Sequence, residues 1–179
     1  MQPRRLDIRR ARSDDAGAIA DIYNQAILAR NATFETEPRT REERLAWLAE
    51  HDAHHAVLVA EEDGRILGWA STSIYRPRRC YDGVGEVSVY IHHEARGRGL
   101  GVQLMNALIA EAEQSGLYKL VARIFAFNEA SRAMCRKCGF REVGIYEKHG
   151  QLDGRWIDCV ILERLIPTNI KALAQKSGA

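Results

Sequence analysis

Glu86-Val87-Ser88-Val89-Tyr90-Ile91, then Arg96-Gly97-Arg98-Gly99-Leu100-Gly101, then Leu104, Leu108 and Ala112, make up the stretch from which the fold is read. Residues 86–91 are rich in β-branched and aromatic types, which predicts a strand. Leu100, Leu104, Leu108 and Ala112 recur at helical spacing, which predicts a helix starting near Gly99. Between them, glycines let the chain turn tightly and bring its N–H groups close to an anion. The helix start adds unpaired donors and the positive end of a dipole, and Arg96 and Arg98 add charge. The segment is a cradle for a pyrophosphate. A dinucleotide fingerprint would need its third glycine where Val102 stands, and the Gly-Lys-Ser/Thr ending of a P-loop is absent.

Toward the N-terminus, Leu6 to Arg10 reads as a strand. Ser13 stands where an N-cap should be, and Ile19, Ile22, Tyr23, Ala26 and Ile27 predict an amphipathic helix over 14–29. Residues 31–38 form a loop carrying Phe34. Thr40 and Glu43 make a capping-box pattern for a second helix to about His51. A strand over 57–59, a turn at Asp63-Gly64 and a strand over 66–75 form a hairpin. The loop 76–85 then leads into the strand at Glu86. Toward the C-terminus come a strand over 119–125, a helix over 129–138 closed by Gly139, and strands over 141–148 and 155–165 around Asp153-Gly154. The order is that of a mixed sheet flanked by about four helices, an α/β or α+β fold. Residues 1–166 read as one domain and 167–179 as a polar, basic tail, a loosely held helix or a disordered end.

The 179-residue chain carries a formal charge of +2, too mild to argue for nucleic acid. No apolar run is long enough to span a membrane, and the charged segment 1–10 lacks the apolar core of a secretory signal. Four cysteines in a chain of this length do not suggest a disulfide framework, so a reducing, cytoplasmic setting is expected. Cys135 and Cys138 have Cys-x-x-Cys spacing but sit at the end of a helix, the wrong pole for a stabilised thiolate, and no further ligands are spaced for zinc. No metal is expected.

Arg96, Gly99 and Gly101, placed after a strand and opening a helix, resemble the acetyl-CoA motif of the GNAT superfamily of N-acetyltransferases. Ser88 to Ile91 resembles that family's pantetheine-pairing strand. Asn128-Glu129-Ala130-Ser131, running on to Gly139-Phe140, resembles its asparagine-led segment. The resemblance spans Leu6 to Leu165. Ile22-Tyr23-Asn24, Ala32 to Pro38 and Glu86 to Ile91 further resemble the phosphinothricin and methionine sulfoximine acetyltransferase branch. It implies the GNAT fold, with a mostly antiparallel central sheet, and acetyl-CoA as co-substrate. It also implies a small glutamate- or methionine-like amino acid as acceptor, a homodimer, and a role in detoxifying an amino-acid antimetabolite or an oxidised methionine. Other acceptors, such as a protein N-terminus or a polyamine, and a non-catalytic acyl-CoA-binding module are the alternatives; the Arg76–Arg79 loop argues against a polyamine.

The cofactor contacts so implied are Val89, Tyr90, Ile91, Arg96, Gly97, Arg98, Gly99, Leu100, Gly101, Val102 and Asn128. Glu86 is the expected general base, working through water or on a transiently deprotonated amine. The backbone N–H of Val89 is the expected partner of the thioester carbonyl. Cys135 falls where the family places a tyrosine, or in this branch often a histidine, as proton donor to the departing thiolate. A thiol could donate there, and it could equally be an apolar filler. Arg76, Pro77 and Arg78, together with Glu86, Val87 and Ser88, are the expected acceptor contacts, arginine being suited to bidentate capture of carboxylate or phosphinate. Phe34, and with less support Tyr81, would wall the acceptor site.

Overall fold

The computed structural model describes residues 6–177. Its strands are β1 (Leu6–Arg10), β2 (Val57–Glu62), β3 (Arg65–Ile74), β4 (Val84–Ile91), β5 (Lys119–Phe125), β6 (Arg141–Leu152) and β7 (Arg155–Leu165). The helices among the described residues are α1 (Ala16–Ala29), α2 (Arg41–Ala49), α3 (Leu100–Gln114), α4 (Glu129–Lys137) and α5 (Pro167–Ser177), with three short 3-10 turns. The strands form one sheet in the order β1-β2-β3-β4-β5-β7-β6. Every neighbouring pair is antiparallel except β4 and β5, which are parallel and joined by the crossover through α3.

Two apolar layers sandwich the sheet. Leu104, Met105 and Leu108 of α3 and Cys135 of α4 pack with Val87, Leu120 and Leu162 on one face. Ile19, Ile22, Tyr23 and Ile27 of α1 pack with Val57, Val59 and Trp69 on the other, with Trp47 of α2 and Tyr90 alongside. Strand alternation sends Val87, Val89 and Ile91 toward α3, and Glu86, Ser88 and Tyr90 toward α1 and α2.

The β4–β5 pairing positions the site. It holds for three residue pairs only, Val84↔Lys119, Gly85↔Leu120 and Glu86↔Val121. Beyond Glu86, β4 stays paired with β3 as far as Ile91, and β5 stays paired with β7 as far as Phe125. The two strands therefore part, leaving a wedge in the sheet. The N-terminal end of α4 stands over it, capped by Asn128, whose Oδ1 accepts from the Ser131 N–H.

Several local expectations change. Ser13 is not an N-cap; it opens a 3-10 turn organised by Asp15, whose carboxylate accepts from the Arg12 N–H and both terminal nitrogens of Arg9. The Thr40–Glu43 capping box is present, but α2 ends at Ala49. Strand β6 continues past Lys148 to Leu152, because a bulge between Tyr146 and Gly150 interrupts the register without ending the strand. Residues 167–177 are helical, and the Asn169 amide donates to the carbonyls of Glu113 and Leu117. Residues 178 and 179 of the expected tail lie outside the described residues.

Candidate active site

Gly97 and Gly99 adopt φ of 76° and 78°, where a side chain is strained, and a Cβ at either would meet nothing within 4 Å. Gly99 caps α3, so the first amides of that helix face open space. They border a cleft of about 460 Å³. Val89, Tyr90 and Ile91 line it from the wedge, Arg96, Gly97, Gly99, Leu100, Gly101 and Val102 from the loop and α3, and Asn128, Ser131 and Met134 from α4. The structure thus gathers every expected cofactor residue around one cleft except Arg98. The Arg98 guanidinium instead pairs with Glu62 and ties the glycine loop to the β2–β3 hairpin. Gly101 differs from the other two glycines. A Cβ there would sit 2.7 Å from the Met134 sulfur, so this glycine allows α3 and α4 to approach.

A second, narrow cavity of about 60 Å³ crosses the sheet through the wedge. It shares Val89, Tyr90 and Asn128 with the large cleft, and Val87, Ser88, Phe125 and Cys135 border it too. A third, of about 300 Å³, lies on the α1–α2 face and shares Ser88 and Tyr90 with the second. Ser71, Ser73, Glu35, Arg39, Glu43 and Arg44 line it over a floor of Tyr23, Trp47 and Trp69. The three spaces run from one face of the sheet to the other and meet at Ser88–Tyr90.

Glu86 stands two residues before Ser88 on the same face of β4, and its Oε1 accepts from Arg123 Nε at 2.7 Å. Cys135 is 1% exposed, and burial pushes its thiol up to about 12. Burial likewise holds the Tyr90 hydroxyl far above its usual range, so it stays protonated. Arg76, Pro77 and Arg78 are exposed and border none of the three spaces; Arg76 lies over the Tyr75 ring at 5.2 Å. Tyr81 also stays outside them and meets Tyr75 edge-on at 5.6 Å. Phe34 packs on Phe125 at 4.7 Å and against Gly150, bracing the loop between α1 and α2 against the C-terminal strands. That loop is fixed at both ends. The Asn24 amide donates to the Arg39 carbonyl and accepts from its N–H, and the Asn128 amide donates to the Asn31 carbonyl.

Sequence reasoning missed Arg44, Ser71 and Ser73. Their signal was present: Arg44 lies three residues before Trp47 and four before Leu48, on the apolar stripe of α2, and the serines alternate along a strand with mostly apolar neighbours. Among the described residues, no group of three or more His, Cys, Asp and Glu side chains converges as a metal site.

Residues 19–140 match the family described as acetyltransferase (GNAT) family. The chain belongs to that family. It is similar to the L-methionine sulfoximine/L-methionine sulfone acetyltransferase of Pseudomonas aeruginosa, with 38% identity over 90% of this chain and 95% of the relative. Among solved structures it resembles the ribosomal-protein-alanine N-acetyltransferase of Brucella melitensis, with 36% identity, a TM-score of 0.87, and coverage of 89% of this chain and 99% of that one. It also resembles a GNAT phosphinothricin acetyltransferase of Sinorhizobium meliloti in complex with acetyl-CoA, with 29% identity, a TM-score of 0.85, and coverage of 90% and 88%. This chain is an acetyl-CoA-dependent N-acetyltransferase. The open loop at Gly97 and Gly99, the α3 amides and the parted strands fit that co-substrate.

Proposed function

We propose that this enzyme acetylates the α-amine of a small glutamate- or methionine-like amino acid, of the phosphinothricin, methionine sulfoximine or methionine sulfone type, by direct attack with both substrates bound. The observation that carries this reading is the meeting of the three spaces at Ser88–Tyr90, with the cofactor cleft on one side and a small polar cavity on the other. Acetyl-CoA supplies an activated acyl group. The α3 amides and Arg96 hold its pyrophosphate, and residues 89–91 pair with its arm. The Val89 N–H meets the carbonyl oxygen as charge builds there. Glu86, oriented by Arg123, takes the amine proton through water, since one step of two residues along β4 spans about 7 Å. The C–N bond forms, the C–S bond breaks, and the thiolate takes its proton from solvent. No group on the enzyme is acylated.

Further features support the rest of this reading. Free cysteines suit a reducing cytoplasm. Exposed Val143, Ile145, Tyr146 and Trp156 suit a homodimer. Residues 1–166 would act as one catalytic domain, with detoxification of an amino-acid antimetabolite as the outcome. A protein N-terminus is the second reading, favoured by the likeness to the ribosomal-protein-alanine enzyme.

Release of CoA from acetyl-CoA, followed with methionine sulfoximine, methionine sulfone, phosphinothricin and a peptide beginning with alanine, tests the acceptor. Turnover of at least one amino-acid analogue at a kcat/KM above the peptide's is expected, with Glu86→Gln lowering kcat by about 100-fold at unchanged acetyl-CoA affinity. Turnover of the peptide alone would establish the second reading instead.

A further inference from the structure

The cofactor cleft carries a cation that the mechanism above leaves without a task. Arg96 and Lys137 both line the cleft, and among the described residues no Asp or Glu does. Arg96 comes from the loop before α3, where its Nε donates to the Ile91 carbonyl at 3.4 Å. Lys137 is the last residue of α4 and is exposed. Its neighbour Arg136 is held by Glu129 and Glu142, whereas Lys137 makes no ion pair with any described residue. Its place along α4 decides what it faces. Asn128, Ser131, Met134 and Lys137 follow at intervals of three and all line the cleft, so one stripe of α4 forms its wall. Asn128 also borders the wedge, Met134 packs against Gly101 in the first turn of α3, and Lys137 stands one helical turn beyond Met134. The stripe from Asn128 to Lys137 covers about 13 Å along the helix axis.

We propose that Lys137 binds the ribose 3′-phosphate of acetyl-CoA and so makes the enzyme select the complete coenzyme over its dephosphorylated form. This rests on the placement of the pyrophosphate at Arg96 and the α3 amides given above. A coenzyme with its thioester at the wedge and its pyrophosphate on α3 has one end left, the adenosine 3′-phosphate, and that end lies toward the outer part of the α4 stripe. The charges divide in the same way. Each phosphorus of the pyrophosphate is a diester with a single negative charge, and Arg96 and the helix start oppose it. The 3′-phosphate is a monoester with about two negative charges at neutral pH, the most anionic group of the molecule. Arg98 is drawn away by Glu62, which leaves Lys137 as the cation of the cleft without an assigned anion. A lysine is a mobile point charge on a flexible stem, suited to a terminal phosphate that turns freely. The cleft's lack of acids means that nothing there competes for it.

The test is binding of CoA and of 3′-dephospho-CoA, measured by calorimetry on the wild-type chain, Lys137→Met, Lys137→Arg and Arg96→Met. The wild type is expected to bind CoA about 10-fold more tightly than dephospho-CoA. Lys137→Met should weaken CoA about 10-fold and leave dephospho-CoA within about 2-fold, so that the preference disappears. Lys137→Arg should retain it, since the charge is kept. The preference should also shrink as salt is raised, because the pair is exposed. Arg96→Met should weaken both ligands alike, since both keep the pyrophosphate. The ratio of the two ligands is the readout, and a loss of folded protein lowers the binding stoichiometry without changing it. A wild type that binds both ligands equally, or a Lys137→Met that retains the preference, would overturn the Lys137 assignment alone. Loss of the preference in Arg96→Met would instead overturn the placement of the pyrophosphate, and this proposal with it.

Discussion

At the scale of the residue, Cys135 occupies the position where a proton donor to the departing thiolate would stand, and its surroundings argue against that role. Burial pushes its thiol up to about 12, while an ordinary thiol titrates near 8.5. Passing its proton to a coenzyme thiolate would be uphill by about 5 kcal/mol. Cys135→Ala is therefore expected to keep kcat within about two-fold, measured by CoA release at saturating substrates. The same burial has a consequence for stability. Below the ordinary thiol range, folded and unfolded chains both hold this proton. Above it the unfolded chain releases the proton and the folded chain keeps it, so stability falls as pH rises from about 8.5 toward 12. By pH 10 this thiol should remove about 2 kcal/mol, an effect absent from Cys135→Ala. The small cavity left by the variant costs about 1 kcal/mol at neutral pH. Urea unfolding should therefore show the wild type more stable at pH 7 and the variant equal or better at pH 10. Parallel curves would mean the thiol is hydrated in the native state.

At the scale of the element, the three glycines of the run serve two purposes. Gly97 and Gly99 provide left-handed backbone for the loop, while Gly101, inside α3, keeps clear of the Met134 side chain of α4. Gly99→Ala should lower stability by about 1 kcal/mol through its φ, together with acetyl-CoA affinity. Gly101→Ala has a helical backbone, and alanine favours a helix by about 1 kcal/mol over glycine. Its Cβ displaces the flexible Met134 end, which borders the cofactor cleft. Its melting temperature should stay at or above wild type while acetyl-CoA binding, measured by calorimetry, weakens about 10-fold. A larger loss of stability than in Gly99→Ala would show that α4 itself had been forced away. This division of labour marks how far the sequence could be read. The loop was legible because turn, helix start and charge are local. Met134 lies 33 residues beyond Gly101, and Glu62, which takes Arg98 from the ligand, lies 36 residues before it, so neither partner is visible in the motif. Arg44 was hidden for the same reason, since its burial depends on α2 closing over Tyr23. The end of β6 was misread because Lys148, with φ of 48°, bulges out of a strand that then resumes.

At the scale of the whole molecule, the sheet ends on an edge that a lone chain would have difficulty keeping in water. Every residue of β6 from Arg141 to His149 is exposed, including Val143, Ile145 and Tyr146, and Trp156 on β7 is 57% exposed. A long edge strand with apolar side chains is a template for further association. Covering it with a second copy would explain why it carries Ile, Val, Tyr and Trp where an isolated edge would favour lysine or proline. The loop carrying Arg76 lies near this surface, since Arg76 is within electrostatic reach of Tyr146. A second copy seated there would enclose Arg76 and Arg78, which are open to solvent in one chain. Light scattering after size exclusion is thus expected to give twice the 20.2 kDa chain mass. Trp156→Glu should shift the protein to the monomer, because a second copy covering this edge would have to bury the new charge. The variant's acetyl-CoA affinity should hold, since the cofactor cleft is lined without β6 or β7. Its KM for the amino-acid acceptor should rise about 10-fold as the loop loses its cover. A wild-type monomer with full activity at nanomolar concentration would show that each chain completes its acceptor site alone.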